Sequence, residues 1–470
     1  MKEVRIYKLM EHKGAPRLWL QDKVPERAML LPGVQYSIET IEERQCLVLR
    51  PAADGTYTVS KKKDRDRLVP VIDLNSEKLL GLFRGLATIR VIVGNGCLYI
   101  LPLASELKKR ARLKALFDKL NRKEPILIGS IAHGAGVLTH AVHHGLAAGG
   151  VRSKLAFAID IWPEALDHAR EVNDAWSDST MPVCMPVQEL LTDDWVLNKL
   201  PVIQQLEIGI PCTAHSRAGV SKKKLEIPEA DEAVGHLAAS LLAVIGKVNP
   251  AAILFECVEP YLRSASMSIL RNQLSDWGYI LHETVLHADE WGALEARERM
   301  CVVAVTEGLD FDFPKPEAIG QRGKSLSSVL EDVPLESEVW REVGYLKAKE
   351  ERDREQSKGF AVPYLTEEAT KVPTLRKGYH KGGSCDARLL HPTNPNLSRL
   401  LTAVEHARIK GVCEKLIRGL SNTFAHELLG QGICPGGFFA TAKRLALSFL
   451  EGCGRQDPGA AVSKPSFAAA

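Results

Sequence analysis

The stretch Val202-Ile-Gln-Gln-Leu-Glu-Ile-Gly-Ile-Pro-Cys-Thr-Ala-His-Ser-Arg-Ala-Gly219 begins as a β-type run, Val202 to Ile208, then breaks at glycine and proline and delivers a cysteine onto a loop. Strands that alternate with helices build mostly parallel sheets, and ligands gather at the carboxyl ends of those strands. Cys212 is therefore expected at the ligand edge of a sheet. An arbitrary cysteine is most often a small buried hydrophobe. One that follows Gly-Ile-Pro on such a loop, with the hydroxyl of Ser216 downstream, has the access a nucleophilic thiolate needs.

The same texture extends outward from this stretch. Ile126-Leu-Ile-Gly, Leu155 to Ile159 ending in Asp160, Ala252-Ile-Leu-Phe, Tyr279-Ile-Leu-His and Met300-Cys-Val-Val-Ala-Val predict strands. Gly136 to Leu146, Ala165 to Val172, Glu229 to Val248 and Met267 to Trp277 predict the intervening helices. The fold class is α/β, with a doubly wound, mostly parallel sheet over residues 125–305. Residues 1–104 differ: Arg17-Leu-Trp-Leu, Gln45-Cys-Leu-Val-Leu, Thr56-Tyr-Thr-Val, Ile89-Arg-Val-Ile-Val and Cys97-Leu-Tyr-Ile-Leu alternate with turns such as Asp54-Gly55 and Gly94-Asn95-Gly96. They predict a β-rich amino-terminal module, joined by a helical linker over 105–124. Residues 306–398 lose the α/β rhythm, are rich in proline and glycine, and suit an inserted domain with loops. Helical periodicity returns after them, so that 399–452 completes the α/β domain and 453–470 is expected as a flexible tail.

The chain has 470 residues and a formal net charge of +3, which at first weighs against a polyanionic partner. The distribution reverses that inference. Residues 1–120 hold 23 basic and 14 acidic side chains, 121–370 hold 24 and 38, and 371–452 hold 12 and 5. Two basic flanks around an acidic middle make the flanks candidates for nucleic acid. A hydrophobic content of 45% and a charged content of 25% exclude a mainly disordered chain. No run approaches the ~18 apolar residues of a membrane span, and the start of the chain lacks the apolar segment of a secretory signal. A cytoplasmic protein without membrane contact is expected. The ten cysteines include no C-x-x-C pair, so reduced thiols and no metal site are expected.

Three further segments carry chemistry. Phe255-Glu256-Cys-Val sets a carboxylate at the end of an apolar strand, and Glu295-Ala-Arg297-Glu-Arg299 runs into the strand at Met300 with arginines that alternate toward one face. Ala132-His133-Gly134-Ala135-Gly136 is a glycine loop between strand and helix, where backbone can approach a ligand closely. Asp160, at the end of the next strand, stands where ribose hydroxyls are held in nucleotide-type folds.

In order, these segments resemble the cytosine-C5 DNA methyltransferase family from about Leu127 to Leu447. The family's Pro-Cys loop is similar to Pro211-Cys212, its Glu-Asn-Val to Glu256-Cys257-Val258, and its Gln-x-Arg-x-Arg to Glu295-Ala-Arg297-Glu-Arg299. Its Arg-x-Leu-Thr-x-x-Glu-x-x-Arg-x-x-Gly helix resembles the block from Arg399 through Thr402, Glu405 and Arg408 to Gly411, and Gly430-Gln431-Gly432-Ile433 resembles its late Gly-Asn block. The resemblance implies the sheet of S-adenosylmethionine-dependent methyltransferases, with 306–398 as a target-recognition insertion. It also implies S-adenosyl-L-methionine as cofactor, held by Ala132, His133, Gly134, Gly136, Asp160, Ile161 and Gln431. Duplex DNA is the implied partner, with tRNA as the alternative substrate and an inactive DNA-binding scaffold as a third reading. Cys212 would add to C6 of a flipped-out cytosine, Glu256 would hold or protonate N3, Arg299 would hold O2, and Arg297 would support the active-site loop or contact the DNA backbone. The loop from Cys212 to Lys224 would act as a lid, with Ser221-Lys-Lys-Lys on phosphates. The chain departs from the family at Ala132, where an aromatic stacks on adenine, and at Cys257, Glu295 and Gln431. Ile161 and Trp162 are left to supply the adenine contact. Dimerisation through the first module is a further expectation, since Pro25 to Val34 resembles the core of small swapped-hairpin DNA-binding modules of the AbrB type.

Overall fold

The structure, a computed structural model, describes residues 3–12, 14–216, 219–220, 223–316 and 324–456. The chain divides into two compact units, Met1–Arg110 and Ala111–Ala470. The first unit is built from two antiparallel sheets. Six strands run in the order Glu3–Lys8, Thr88–Gly94, Cys97–Pro102, Cys46–Pro51, Gln35–Ile41 and Tyr57–Thr58, and four in the order Met10–His12, Ala15–Gln21, Arg67–Leu74 and Ser60–Asp64. Alternate residues (Leu18, Leu47, Leu49, Ile72, Val91, Leu98) point into one shared core. Asn95 and Gly96, at φ 52° and 71°, close the hairpin that pairs Gly94 with Cys97, the two-residue turn whose twist matches its strands. In the Pro25–Val34 region a short helix, Lys23–Arg27, packs within this two-sheet unit rather than within a single small hairpin module.

The second unit is organised by a seven-stranded sheet: β1 (Ile126–Ile131), β2 (Ser153–Asp160), β3 (Met181–Cys184), β4 (Gln205–Gly209), β5 (Ala252–Cys257), β6 (Tyr279–His287) and β7 (Glu298–Thr306). Their order is β3-β2-β1-β4-β5-β7-β6, parallel throughout except that β7 runs antiparallel between β5 and β6. Helices α1 (Val137–Ala148), α2 (Pro163–Val172), α3 (Leu237–Val248) and α4 (Ala265–Asp276) connect the strands. One face of the sheet packs on α1 and the last helix, through Val142, Leu146, Ala442, Leu445 and Phe449. The other packs on α3 and α4, through Leu241, Val244, Met267 and Leu270. β1 and β5 are covered on both faces, which is why they read as nearly continuous apolar runs, whereas β4, equally buried, carries the polar Gln205 and Glu207.

Several boundaries differ from the sequence reading, each for a local reason. α3 begins at Leu237 rather than Glu229, because Asp231 turns the chain by accepting from the N–H groups of Ala233 and Val234. The strand expected from Val202 begins at Gln205, and Val202 is exposed. The linker helix Ala104–Asn121 is anchored in the second unit by a residue of its basic cluster. Arg112, 2% exposed, donates to Thr306 Oγ1 (2.7 Å) and the Trp277 carbonyl (2.6 Å) and lies over the Tyr279 ring. The last helix, α7 (Pro435–Gln456), passes residue 452 and takes in the first part of the expected tail, with Gly452 packed against Leu309; the rest of the tail lies outside the described residues.

The insertion contains more regular structure than loops. Short strands Arg341–Glu342, Leu397–Arg399, Arg388–Leu390 and Tyr364–Leu365 form a four-stranded sheet, and the charged run from Lys347 folds into the helix Gly344–Glu355. Its core of Leu326, Trp340, Leu365, Leu375, Tyr379 and Leu389 also recruits Leu294, Leu401 and Ile409 from outside residues 306–398. α5 (Ala403–Lys410) is thereby shared with the insertion. It opens with a capping box in which Thr402 and Glu405 satisfy each other's backbone N–H groups. Glu405, fully buried, also accepts both arms of Arg399 at 2.6 and 2.7 Å and the Glu331 N–H at 3.0 Å.

Below the first β-to-α loop lies a buried polar layer. The Thr139 hydroxyl donates to Glu207 on the central strand β4, and His133 Nδ1 lies 2.9 Å from Ser130 Oγ. Glu207 is fully buried, and this burial outweighs the hydrogen bonds from Thr139 and Ser130, pushing its pKa up to about 7.

Two predictions follow from this packing. Glu405→Ala leaves Arg399 buried and unpaired and strips the cap of α5, so it costs about 3–5 kcal/mol in chemical denaturation. Native Glu207 keeps a proton that the unfolded chain releases above pH ~4.5. Stability therefore falls as pH rises from about 4.5 to about 7, by on the order of 3 kcal/mol from this group. Glu207→Gln, compared with the parent by denaturation at pH 4.5 and pH 8, is expected to gain stability only at pH 8; parallel pH curves contradict the assignment.

Candidate active site

The register of three strands assembles the site. β4 pairs with β5 so that Gly209 lies opposite Glu256, and the Ile210 N–H extends that ladder by donating to the Glu256 carbonyl at 2.8 Å. The chain then leaves the sheet through Pro211, and the Cys212 carbonyl accepts from the N–H groups of His215 (3.1 Å) and Ser216 (2.8 Å). This tight turn holds Cys212, half-buried, just beyond the end of β4. Beneath it His215 packs on Tyr261, with ring centroids 4.6 Å apart, and burial lowers the imidazole's pKa. Ser216 steadies the next turn by accepting from the Gly219 N–H at 3.1 Å.

On the other side of β5, Glu256 lies opposite Cys301 of β7. Arg299 is two residues before Cys301, hence on the same face and diagonal to Glu256. Its Nε lies 2.9 Å from Glu256 Oε1. Burial raises the Glu256 pKa, and the pull of Arg299, Arg297 and Lys410 in the other direction does not cancel it. The neighbouring Cys257 is a buried thiol held well above its ordinary value, first by burial and then by Glu256 and Cys212. The structure thus brings Cys212, Glu256 and Arg299 to one end of the sheet.

Arg297 has a different position. The chain turns between Glu295–Ala296 and β7, and the guanidinium, 3% exposed, donates to the carbonyls of Gly430 (3.1 Å) and Gln431 (3.4 Å) and pairs with Glu295 Oε1 at 3.3 Å. Contact with a DNA backbone is closed to it by burial. Glu295 is itself fully buried and is the centre of a knot: Lys410 Nζ lies 2.7 Å from Oε2, and the Leu375 N–H donates to Oε1 at 3.0 Å. The departure from the family's glutamine at this position has a physical reason, since Lys410 and Arg297 require a negative partner when removed from water. Sequence reading missed Lys410, because only the fold sets it beside Glu295.

The glycine loop follows β1 and turns through positive φ at Ala132 (54°), Gly134 (54°) and Gly136 (72°). Gly136 is required twice over: besides its φ, a Cβ there would lie 2.4 Å from Asn173 Nδ2 and 2.6 Å from His133 Nε2. Asp160 braces the loop, accepting from the Gly134 N–H at 2.7 Å and the Trp162 N–H at 3.0 Å. Nothing lies within 4 Å of where a Cβ on Gly134 would stand, so the crest of the loop is open to a ligand. Ile161 is 70% exposed beside it, while Trp162 packs edge-on against Phe424 and takes Lys377 over its ring.

The side chains of two residues expected at the cofactor are engaged with the protein itself. His133 is buried, its Nε2 accepts from Trp176 Nε1 at 3.1 Å, its backbone N–H donates to the Ile159 carbonyl, and its ring is held neutral by a pKa lowered by burial to about 3. It is part of the loop's foundation. The amide of Gln431, at the end of α6 (Asn422–Gln431), donates back to the Glu427 carbonyl, and the adjacent Gly432 approaches Val137 at the start of α1. In the lid segment, Arg217, Ala218, Ser221 and Lys222 lie outside the described residues, and Lys223 pairs with the buried Asp231 instead of remaining free for phosphate. Asn173 and Trp176, which support the loop from the far end of α2, were not found in the sequence. Glu207 gave a signal there, as an acid inside an apolar run.

The family model described as C-5 cytosine-specific DNA methylase matches residues 141–446. The type II methyltransferase M1.ScrFI of Lactococcus lactis subsp. cremoris is 28% identical over 253 residues, covering 52% of this chain and 62% of its own length. M.NlaX of Neisseria lactamica is 27% identical over 250 residues, covering 51% and 75%. M.SsoII of Shigella sonnei is 25% identical over 247 residues, covering 50% and 62%. The chain thus spans about three fifths of M1.ScrFI and M.SsoII. Among solved structures, the S. pombe Dnmt2 methyltransferase superposes with a TM-score of 0.50 at 17% identity, over 70% of this chain and 99% of that one. The Entamoeba histolytica methyltransferase EhMeth gives 0.50 at 16%, over 71% and 99%. These two likenesses concern the fold of the α/β unit. With the family match covering more than half its length, the chain belongs to the C-5 cytosine-specific DNA methylase family.

Proposed function

We propose that this chain is a DNA (cytosine-5) methyltransferase that acts on duplex DNA through a covalent adduct on Cys212. The observation that carries the proposal is the convergence of a half-buried cysteine, just past the end of β4, with the buried Glu256 and its partner Arg299 at the ends of β5 and β7. Carbon 5 of cytosine is a weak nucleophile. A thiolate that adds at C6 makes C5 electron-rich and can later depart. Glu256, its pKa raised by burial, carries a proton toward N3, and Arg299 orients that carboxyl and faces O2, so charge is drained from the ring as the adduct forms. Loss of the C5 proton then returns the electron pair that expels Cys212. These atoms are stacked inside a duplex, so the target base must leave the helix to reach them.

The loop Ala132–Gly136 fits S-adenosyl-L-methionine: its open crest at Gly134 and the braced Asp160 suit the methionyl and ribose parts, and exposed Ile161 offers an apolar surface for adenine. When bound, that cofactor supplies the electrophilic methyl. Residues 306–398 serve as the target-recognition region, held to the active-site end of the sheet through Leu375 and Glu295. In the first unit the edge strand Ser60–Asp64 exposes Lys61, Lys62 and Lys63, alternating between its two faces, as cations suited to phosphates.

Incubation of the full chain with tritiated S-adenosylmethionine and either duplex DNA or tRNA is expected to label C5 of cytosine in DNA; label only in tRNA overturns the substrate assignment. Cys212→Ala abolishes labelling. Arg299→Leu lowers kcat by about 10²–10³ and, by removing the charge that holds the Glu256 pKa down, moves the alkaline limb of the pH–rate profile to higher pH. The triple variant Lys61→Glu, Lys62→Glu, Lys63→Glu flattens the salt dependence of duplex binding by a log–log slope of up to about 3, measured by fluorescence anisotropy.

A further inference from the structure

We propose that His140, His144 and Asp174 form a binding site for a zinc-type divalent transition metal that staples the support of the glycine loop. His140 and His144 lie one turn apart on α1, so their rings project from the same side of the helix, with centroids 4.3 Å apart. Both Nε2 atoms face one carboxylate: His144 Nε2 lies 3.0 Å from Asp174 Oδ2, and His140 Nε2 lies 3.8 Å from Oδ1. The donor atoms of all three residues lie within 4.8 Å of one another. A tetrahedral ion with bonds of ~2.1 Å separates its ligand atoms by roughly 3.4 Å, so small side-chain rotations close the set around an ion.

The donor chemistry selects the metal. Two imidazoles and a carboxylate suit zinc, cobalt, nickel or copper rather than calcium or magnesium, and a fourth position remains for water. A His–Asp hydrogen bond alone accounts for His144. It does not account for His140, whose 3.8 Å approach is too long for such a bond yet aimed at the second oxygen of the same carboxylate. His143, on the neighbouring face of the helix, is engaged with Ser153 Oγ at 2.9 Å and stands outside the set.

The position gives the site a consequence. Asp174 lies between Asn173, whose amide donates to the Gly136 carbonyl at 2.9 Å, and the segment's Trp176, whose indole donates to His133 at 3.1 Å. The backbone N–H of His140 donates to the same Gly136 carbonyl at 2.8 Å, in the first turn of α1. An ion at this point fixes residues 173–176 against the first turns of α1, and so fixes the two props of the loop.

The test uses the full chain, stripped with chelator and titrated with Zn²⁺ by calorimetry and with Co²⁺ by visible absorption. Expected are one equivalent of Zn²⁺ lost in His140→Ala/His144→Ala and retained in His143→Ala, a Co²⁺ spectrum without thiolate charge-transfer bands, and a thermal midpoint that rises with Zn²⁺ only in chains that keep the set. Asp174→Asn, a milder change, is expected to weaken Zn²⁺ affinity at least tenfold. The proposal is overturned if the parent chain binds no Zn²⁺, if the double variant and Asp174→Asn bind it as the parent does, or if the Co²⁺ spectrum is that of cysteine ligation.

Discussion

A single buried carboxylate joins the parts of the second unit that sequence separates. Glu295, at the entry to β7, takes Lys410 from the end of α5, Arg297 from its own segment and the Leu375 N–H from the insertion. Through Arg297 it reaches the carbonyls that close α6. Charges this deep are costly to bury and costlier to leave unpaired, so the knot has one satisfactory arrangement and its members move together. That arrangement sets where β7 begins, hence where Arg299 stands relative to Glu256, and it anchors the insertion beside the same end of the sheet. The Arg399–Glu405 pair at the opposite end of α5 does similar work from the insertion side.

The active-site end of the sheet is therefore held from two directions. Strand register supplies one: Gly209 opposite Glu256, and Glu256 diagonal to Arg299. The polar layer supplies the other, with Ser130, Thr139, His133 and Glu207 stacked beneath the glycine loop. The loop itself is strained in the left-handed region at Ala132, a non-glycine residue, and the layer below it together with Asp160 maintains that conformation. The glycine loop lies close to the end of β4, which leads into the cysteine loop, because Gly209 has no side chain; a Cβ there would lie 3.3 Å from the Ala132 carbonyl.

Much of this was legible in the sequence, and the limits were physical. Strand-type runs broken by turn residues reveal themselves in sequence, so β1, β2, β4, β5 and β7 could be placed, as could residues at or just past their ends, Asp160, Glu256 and Cys212. Polar residues with structural duties look the same as functional ones in one dimension. From sequence, His133 reads as a cofactor contact and Arg297 as a support for the active-site loop or a contact for the DNA backbone; the side chain of each is turned inward by a partner far along the chain, Trp176 and Gly430. Helix starts set by side-chain turns, as at Asp231, were misplaced, and β3 was missed because Pro182 in Met181–Cys184 argues against a strand. In the insertion, strands of two or three residues leave almost no period to detect.

The central claim is that the Cys212 sulfur becomes bonded to cytosine. Fluorine in place of hydrogen at C5 cannot leave as the proton does, so a duplex containing 5-fluorocytosine retains the adduct after methyl transfer. Digestion of that complex and mass spectrometry of its peptides measures the bond directly. The account predicts a nucleotide adduct on the peptide containing Cys212 and on no other of the ten cysteines. Methylation of ordinary duplex by a chain that yields no adduct, or an adduct on a different cysteine, would contradict it.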